Sequence, residues 1–233
     1  MKGLHIYEEL MLLALNNKKG RQKFGFSEYS TAGAVVAELL LDGRIKIEDE
    51  KKLLVRVIDA SPTGDPVIDE CLRKMSDQRR RSSVQTWVQK LARIKHFRVK
   101  ILRQLCERKI VREDPEKVLF FFTVKTYPEI NPVPEQRIVA RIRKAIFDST
   151  GKVDAKTAVL IALADGNGML ADNFTRKALK PYMKRIEQII NGDMISKATN
   201  DVIQSVQAAV IVAAVMPAMV ASTSASCATA ATC

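Results

Sequence analysis

The stretch Ser61-Pro62-Thr63-Gly64-Asp65-Pro66-Val67-Ile68-Asp69-Glu70 joins a turn directly to the start of a helix. Ser-Pro-Thr-Gly is typical of a tight turn, because Pro and Gly supply the backbone dihedrals that such turns need. Asp65 suits the N-cap position and Pro66 suits the first helical position, where its missing N–H is not needed. The sequence therefore predicts a short helix over Val67–Met75 that begins at Asp65.

Helical patterns dominate on both sides of this turn. Upstream, Leu4–Leu15 predicts an amphipathic helix, and Thr31–Leu41 predicts a helix of small residues that another helix can approach closely. Downstream, Ser83–Lys109 lacks Gly and Pro and places its apolar residues near one face, so it predicts one continuous helix. Four further helices are predicted, at Pro134–Phe147, Asp154–Ala164, Phe174–Ile190 and Lys197–Met216.

Two pairs of short strands interrupt the helices. Arg44–Glu48 and Lys52–Ile58 lie on either side of a charged turn and predict a small hairpin. Ile110–Arg112 and Val118–Thr126 predict a second hairpin, joined by a turn at 113–117.

The whole pattern predicts a mainly α protein. We expect a single globular helical domain over residues 1–221, with a protruding β-hairpin at about 110–128 and a second small hairpin. Residues 222–233 are rich in Ser, Thr and Ala and predict a disordered tail. The apolar run Ala208–Ala221 is shorter than the roughly 20 residues of a membrane-spanning helix, so it predicts a buried helix.

Positive charge is concentrated in one part of the chain. The chain has a net charge of +12, and between Arg73 and Arg112 it carries fourteen Lys or Arg against only Asp77 and Glu107. The remaining residues are therefore balanced. A block of this kind faces an anionic partner or a large amount of water.

Motifs typical of enzymes are absent. The only histidines are His5 and His96, and no HExxH, phosphate-loop or Gly-x-Ser-x-Gly pattern occurs. Asp65, Asp69 and Glu70 form a carboxylate cluster, which we interpret as the negative charge that a helix N-terminus favours. We therefore predict a protein that is not an enzyme and has no cofactor.

Metal-binding patterns are also absent. The cysteines have no metal-ligand spacing and indicate reduced thiols in a cytosolic protein. The segment 165–168 resembles the start of a calcium loop, but Met169, Leu170 and Arg176 stand at later positions of that loop. We therefore predict no metal site there, but a connection between two helices.

Three interpretations of the basic block remain. It could be a solvated face, or it could bind nucleic acid, because a helix followed by a hairpin has the outline of a winged helix. The few base-reading side chains make nucleic acid the less favoured partner. The third interpretation is an anionic membrane surface, where each Lys or Arg contributes about 1 kcal/mol. In that case Lys95 and Arg98, at helical i, i+3 spacing, are suited to a headgroup.

The loop before the small-residue helix fits the membrane interpretation. Residues 18–26 interleave the cations Arg21 and Lys23 with Phe24 and Phe26. Basic side chains meet lipid headgroups while exposed aromatic rings enter the interface. We therefore expect Arg21 and Lys23 to bind headgroups and Phe24 and Phe26 to insert.

Four segments of the chain resemble the Golgi phosphoprotein 3 family, in order and over nearly the whole length. They are the opening helix Leu4–Leu15, the step Ala37–Ile45, the turn and helix Ser61–Glu70, and the terminal helix that begins with Ala198–Val202. The resemblance implies a mostly helical fold that binds phosphatidylinositol 4-phosphate as a peripheral membrane protein. It also implies an adaptor that grips client protein tails at a cytoplasmic membrane surface, which is the Golgi in eukaryotic members.

The resemblance also implies site residues. Lys95 and Arg98 match two headgroup-binding arginines of the family, Ala32 falls where a third is expected, and Phe24 and Phe26 are the nearest substitutes for a family tryptophan. The second hairpin, which the resemblance places at Arg112–Pro128, would mediate homo-oligomers and explain Phe120, Phe121 and Phe122 as an interface. Trp87 lies in a different helix and is expected in the core.

Overall fold

The computed structural model describes residues 3–15, 20, 27–49, 51–118, 122–148 and 151–194. The predicted helix Lys197–Met216 and the predicted tail at 222–233 lie outside these residues. Within them the protein is mainly α, as the sequence predicts.

Helices form most of the described chain, and the strands form two small antiparallel sheets. The helices are α1 (Ile6–Ala14), α2 (Glu28–Leu41), α3 (Pro66–Ser76), α4 (Val84–Ala92), α5 (Phe97–Glu107), α6 (Val133–Phe147), α7 (Ala155–Gly166), α8 (Met169–Phe174), α9 (Arg176–Leu179) and α10 (Met183–Ile190), with a 3₁₀ turn at Lys180–Tyr182. The strands are β1 (Ile45–Asp49), β2 (Leu54–Val57), β3 (Ser82–Ser83), β4 (Asp114–Val118) and β5 (Phe122–Thr126).

The first helix lies at the centre of the molecule. It contacts α2, α5, α6 and α7, and all nine of its residues are buried, including Glu8 and Glu9. The predicted helix is confirmed, but its predicted amphipathic character is wrong, since every face of α1 is buried. The two carboxylates are tolerated because Arg108 pairs with Glu8 at 3.1 Å and Arg141 pairs with Glu9 at 2.5 Å.

Side-chain caps set the starts of α2 and α3. The Ser27 hydroxyl accepts a hydrogen bond from the Ser30 N–H at 3.3 Å, so α2 begins three residues before the predicted Thr31. Asp65 caps α3 as predicted, since its Oδ1 accepts from the N–H groups of Val67 and Ile68 at 3.0 and 2.9 Å. The same carboxylate is 5% exposed, so this cap belongs to the core.

The predicted continuous helix over Ser83–Lys109 is wrong. The chain forms α4 and α5, separated by a turn at 93–96 in which His96 has a left-handed φ of 57°. A straight helix over this range would run about 40 Å, longer than a small domain is wide. The turn lets α4 pack on α2 while α5 packs on both α1 and α2.

The second hairpin is shifted from its predicted position. Asp114–Val118 is the first strand and pairs with Phe122–Thr126, so the predicted turn at 113–117 is mostly strand. Pro115 pairs with Lys125, which is possible because a two-stranded sheet has only edge strands. The predicted strand Ile110–Arg112 contributes only an isolated bridge between Val111 and Glu129.

The predicted helix Phe174–Ile190 is also interrupted. Phe174 ends α8, and Thr175 has a positive φ of 60°. The short helix α9 and the 3₁₀ turn then precede α10. Pro181 lies in the 3₁₀ turn, where it cannot donate a helical hydrogen bond. Upstream, Gly166 ends α7 and Gly168 has a φ of 72°, so the segment at 165–168 connects two helices as predicted.

Candidate functional site

A groove of about 560 Å³ lies where the α4–α5 turn meets the start of α2 and the base of the β4–β5 hairpin. We call it the α4–α5 groove. It is lined by Glu28, Ala92, Arg93, Ile94, His96, Phe97, Arg98, Val99, Leu102, Lys125 and Tyr127. Three of these are cationic and one is acidic, so the groove is net positive.

The turn between the helices places Arg98 in the groove. Phe97 follows the left-handed His96 and is 2% exposed, which anchors the first turn of α5 in the core. Arg98 then pairs with Glu28, with 3.2 Å between Nη1 and Oε1. Its Nε atom is buried and has no hydrogen-bond acceptor among the residues that the structure describes. Because a buried unsatisfied donor costs about 1–3 kcal/mol, an oxyanion that reaches this guanidinium would be stabilised.

The hairpin base supplies the opposite wall. Lys125 pairs with Glu113 at 2.6 Å, and the Tyr127 hydroxyl donates to the same carboxylate at 3.2 Å. The hydrogen bond from Lys125 lowers the pKa of Glu113. Burial, together with the charge of Glu113, raises the pKa of Tyr127 to about 12, so its hydroxyl stays a neutral donor.

Gly20 fixes the hairpin base against the loop before α2. The Tyr127 N–H donates to the Gly20 carbonyl at 2.9 Å. Gly20 has a φ of 57°, and a Cβ on it would lie 2.1 Å from the backbone of Tyr127 and Pro128. Only glycine fits this approach. Residues 21–26 therefore join two points, Gly20 and the start of α2, that both lie at the groove.

The predicted headgroup residues have different positions. Arg98 lines the groove, whereas Lys95 is exposed on the α4–α5 turn and does not line it. The helical i, i+3 argument for this pair fails, because Lys95 is not in a helix. Arg21, Lys23, Phe24 and Phe26 lie outside the described residues.

Other predicted positions are distributed as follows. Ala32 is fully buried in α2, so the position that the resemblance matches to a third family arginine faces the core. Trp87 is 4% exposed, which confirms its predicted core location. Phe120 and Phe121 lie outside the described residues, and Phe122 begins β5 opposite Val118.

The basic block divides into paired and unpaired cations. Within the part of the chain that the structure describes, six of its cations lie within 4.0 Å of a carboxylate: Arg73, Arg81, Arg98, Lys100, Arg108 and Arg112. The other eight are exposed and have no such partner among the described residues: Lys74, Arg79, Arg80, Lys90, Arg93, Lys95, Arg103 and Lys109. Their charge is available to an external anion.

The carboxylate cluster is occupied by structural contacts. Asp69 accepts from the Thr63 N–H and hydroxyl, each at 2.7 Å, and Glu70 pairs with Lys100. Although partial burial opposes it, these hydrogen bonds lower the pKa of Asp69. These contacts support the interpretation that the cluster supplies the negative charge that a helix N-terminus favours. Among the described residues, no three His, Cys, Asp or Glu side chains cluster as metal ligands would.

Sequence reasoning missed Arg93, Lys125, Tyr127 and Glu28 as groove residues. Arg93 and Arg98 are close in the chain, but Lys125 and Tyr127 reach the groove only through the hairpin. No spacing rule connects these positions, so a tertiary structure is needed to bring them together.

Two comparisons with known proteins bear on this geometry. The family model described as Golgi phosphoprotein 3 (GPP34) matches residues 6–206. Vacuolar protein sorting-associated protein 74 of Eremothecium gossypii is 26% identical over 160 residues, which cover 60% of this chain and 48% of that protein. The aligned region thus spans about half the length of this curated relative. In the described part of the chain, no helix combines the length and apolarity needed to cross a bilayer.

Proposed function

The chain belongs to the Golgi phosphoprotein 3 family, and from that premise we propose that it is a non-enzymatic, peripheral membrane protein that binds acidic phospholipid headgroups in the α4–α5 groove. The observation that carries the proposal is the groove itself. It holds Arg93, Arg98 and Lys125 around a cavity large enough for a headgroup, and the Nε of Arg98 has no acceptor within the described part of the chain.

Recruitment to the membrane would come from the whole basic face. Eight exposed cations of the block have no carboxylate partner among the described residues. Each contributes about 1 kcal/mol near an acidic surface, so a few of them suffice for reversible binding. The groove would then select among headgroups by direct contact with phosphate.

The preferred headgroup is one like phosphatidylinositol 4-phosphate. A phosphate monoester carries more charge than a diester and suits the planar fork of Arg98. Lys95, Arg21 and Lys23 would add contacts from the rim, while Phe24 and Phe26 enter the interface. The ends of the 21–26 segment lie at the groove, which supports its place beside the membrane.

An adaptor role is the part of the proposal that the family, and the name of the vacuolar protein sorting-associated relative, support. The protein would link a Golgi-type cytoplasmic membrane surface to the tails of client proteins. It would self-associate through the hairpin, with Phe120, Phe121 and Phe122 at the interface.

Vesicle flotation tests the lipid site. Wild type, Arg98→Ala/Lys125→Ala and the control Arg137→Ala/Arg176→Ala are compared on vesicles of phosphatidylinositol 4-phosphate in neutral lipid and on phosphatidylserine vesicles of equal charge. Both variants remove two positive charges, but Arg137 and Arg176 are exposed and do not line the α4–α5 groove. We expect the groove variant to bind about 10- to 30-fold more weakly and the control to bind nearly as wild type.

Two results would contradict this proposal. Equal losses in the groove variant and the control would remove the groove from the binding site. Tight, steeply salt-dependent binding to duplex DNA without vesicle binding would favour the nucleic-acid alternative. Gln104, one of the few candidate base-reading side chains, is buried and donates to Asp65, which argues against that alternative.

Self-association is tested at the hairpin tip. Lys117 and Thr123 face each other across the ladder, so replacing 118–122 by Asn-Gly would close a two-residue turn. We expect unchanged circular dichroism and a lower mass by light scattering. An unchanged mass would contradict the hairpin interface and leave the lipid site untouched.

A further inference from the structure

A second cavity, of about 260 Å³, lies between the β1–β2–β3 sheet and the start of α4. Its wall carries Arg56, Arg79, Arg80 and Arg81, and the buried Trp87 lies at the same wall. We call it the arginine pocket. No described Asp or Glu lines it, and none of its residues lines the α4–α5 groove.

The loop that carries three of the arginines is held in place. The Gln78 amide donates to the Arg80 carbonyl and to the Ser82 hydroxyl, both at 2.6 Å, and its oxygen accepts from Lys90. Ser82 then pairs with Val55 in the sheet. The loop is therefore tied at both ends, so its backbone needs little ordering when its arginines bind a ligand.

One carboxylate orients two of the guanidinium groups. Glu48 accepts from Arg56 at 3.0 Å and lies 2.5 Å from Arg81. The hydrogen bond from Arg56, together with the charge of Arg81, lowers the pKa of Glu48. Arg79 and Arg80 have no ion pair with any described residue, so two of the four guanidinium groups are paired with Glu48 and two have no described carboxylate partner.

We propose that the arginine pocket binds a phosphate monoester as its dianion, at a site separate from the α4–α5 groove. All four cations are arginines, whose planar forks match two phosphate oxygens at once. A dianion would add two negative charges to the one that Glu48 supplies, and so relieve much of the repulsion among the four arginines. The pocket volume suits a phosphate with a small alcohol, carried by a soluble compound or by a lipid headgroup.

Trp87 provides a native reporter for this pocket. It is the chain's only tryptophan and lines the arginine pocket but not the α4–α5 groove, so its fluorescence reports directly on the pocket. Glycerol 3-phosphate is titrated at constant ionic strength, with dimethyl phosphate as the diester control. We expect a saturable change with the monoester and little change with the diester.

Charge variants identify the residues. Arg79→Gln/Arg80→Gln is expected to weaken glycerol 3-phosphate binding at least about tenfold, since charge-assisted hydrogen bonds are lost. Arg137→Gln/Arg176→Gln removes the same charge from exposed helix positions and is expected to leave it unchanged. Absence of a saturable signal in the wild type, or equal binding by Arg79→Gln/Arg80→Gln, would overturn the proposal.

Vesicles distinguish the source of the phosphate. Phosphatidic acid vesicles present a monoester, and phosphatidylglycerol vesicles of equal charge present only diesters. A Trp87 response to phosphatidic acid that survives in Arg98→Ala/Lys125→Ala supports a lipid ligand, while a response to glycerol 3-phosphate alone supports a soluble one. A vesicle response that is equal for both lipids, with none to glycerol 3-phosphate, would overturn the monoester site. Flotation of Arg98→Ala/Lys125→Ala is measured in parallel. A result against the lipid site in the α4–α5 groove is then distinguished from a result against the arginine pocket.

Discussion

Two charged regions of the molecule differ in how their charges are balanced. The first is the buried acidic cluster, made of Glu8, Glu9, Glu38 and Asp65, each at most 5% exposed. The second is the basic face, made of the eight exposed cations without a partner among the described residues. The first region contains charges that water cannot reach, and the second contains charges surrounded by water.

Every member of the buried acidic cluster has a partner. His5 lies 3.0 Å from Glu38 and 3.6 Å from Asp65. Asp65 also accepts from the Tyr7 hydroxyl at 2.7 Å and from the Gln104 amide at 2.8 Å. Burial raises the pKa of Glu8 and of Glu9, which shows the cost of keeping them charged.

The buried acidic cluster and the basic face show two different uses of charge in this fold. A buried charge must be paired, because leaving it alone costs several kcal/mol, so the acidic cluster fixes how the helices pack. An exposed cation without a partner costs little folding free energy, because a surface ion pair would add little stability. The basic face can therefore keep its charge for a ligand without loss of stability.

The largest effect is expected at Asp65. Asp65→Ala removes the cap of α3 and leaves the Tyr7 and Gln104 donors buried without an acceptor, so the free energy of unfolding should fall by about 3–5 kcal/mol. Urea denaturation measures this. Asp154→Ala is the matched control, because Asp154 caps α7 while exposed, and it should cost about 1 kcal/mol. Equal losses would mean that Asp65 acts only as a cap.

A smaller loss is expected at Gly20, where the groove joins the core. Gly20→Ala places a Cβ 2.1 Å from the backbone of Tyr127 and Pro128, so it should cost about 2–4 kcal/mol and weaken vesicle binding. Gly43→Ala is the control, because Gly43 also has a positive φ but open space around it, and it should cost about 1–2 kcal/mol. A Gly20 variant as stable as the Gly43 variant would show that this contact is dispensable.

The pH dependence of stability tests the pairing of His5. Burial alone would lower its pKa, but the hydrogen bond to Glu38 and the charges of Glu38, Asp65 and Glu8 outweigh burial and raise the pKa of His5. A raised pKa means that the folded state binds the proton more tightly. The contribution to stability is then complete below the unfolded pKa of about 6.5 and is lost as pH rises through the folded pKa.

His5→Gln should therefore destabilise the protein most at acidic pH, and its difference from wild type should shrink as pH rises from about 5.5 to 8.5. This range lies above the unfolded pKa of Glu38, about 4.3. The pKa of Glu38 is lowered, although burial opposes this, so its own contribution is retained throughout. The control is His96→Asn on the exposed turn, where asparagine tolerates the left-handed φ. A pH-independent difference for His5→Gln would exclude its protonation in the fold.

The same contrast explains which features the sequence could predict. Asp65 and Pro66 define a helix start locally, and the small residues of α2 predict close packing, so both predictions succeed. The burial of Glu8 and Glu9 could not be predicted from α1 alone. Their partners Arg108 and Arg141 come from distant helices, and only the assembled core pairs them.

The turn at 93–96 and the hairpin register fail for a related reason. No Gly or Pro marks the turn, but the left-handed His96 lets the chain bury Leu91 and Ile94 before it and Phe97 after it. Local turn chemistry favoured a bend near Pro115, but pairing with Lys125 places that proline in a strand. In the groove, Arg98 was predicted from charge and resemblance, whereas Lys125 and Tyr127 needed the fold.

The smallest effect is expected at Glu28, which brings an acidic partner into the net-positive α4–α5 groove. Glu28 lies 3.2 Å from Arg98 and its side chain is 47% exposed, so the pair contributes little stability. Glu28→Gln frees the guanidinium and adds one positive charge to the groove. Affinity for phosphatidylinositol 4-phosphate vesicles should rise about fivefold, while the free energy of unfolding falls by less than about 1 kcal/mol.

Glu187→Gln on α10 makes the same charge change away from the groove and should raise vesicle affinity less. If both variants gain equally, the increase reports net charge, and the Glu28–Arg98 pair does not control the site. If Glu28→Gln binds more weakly than wild type, Glu28 positions Arg98 for its ligand. The α4–α5 groove would then depend on a paired carboxylate, as the buried acidic cluster depends on its cations, and the contrast between the two regions would not extend to the groove.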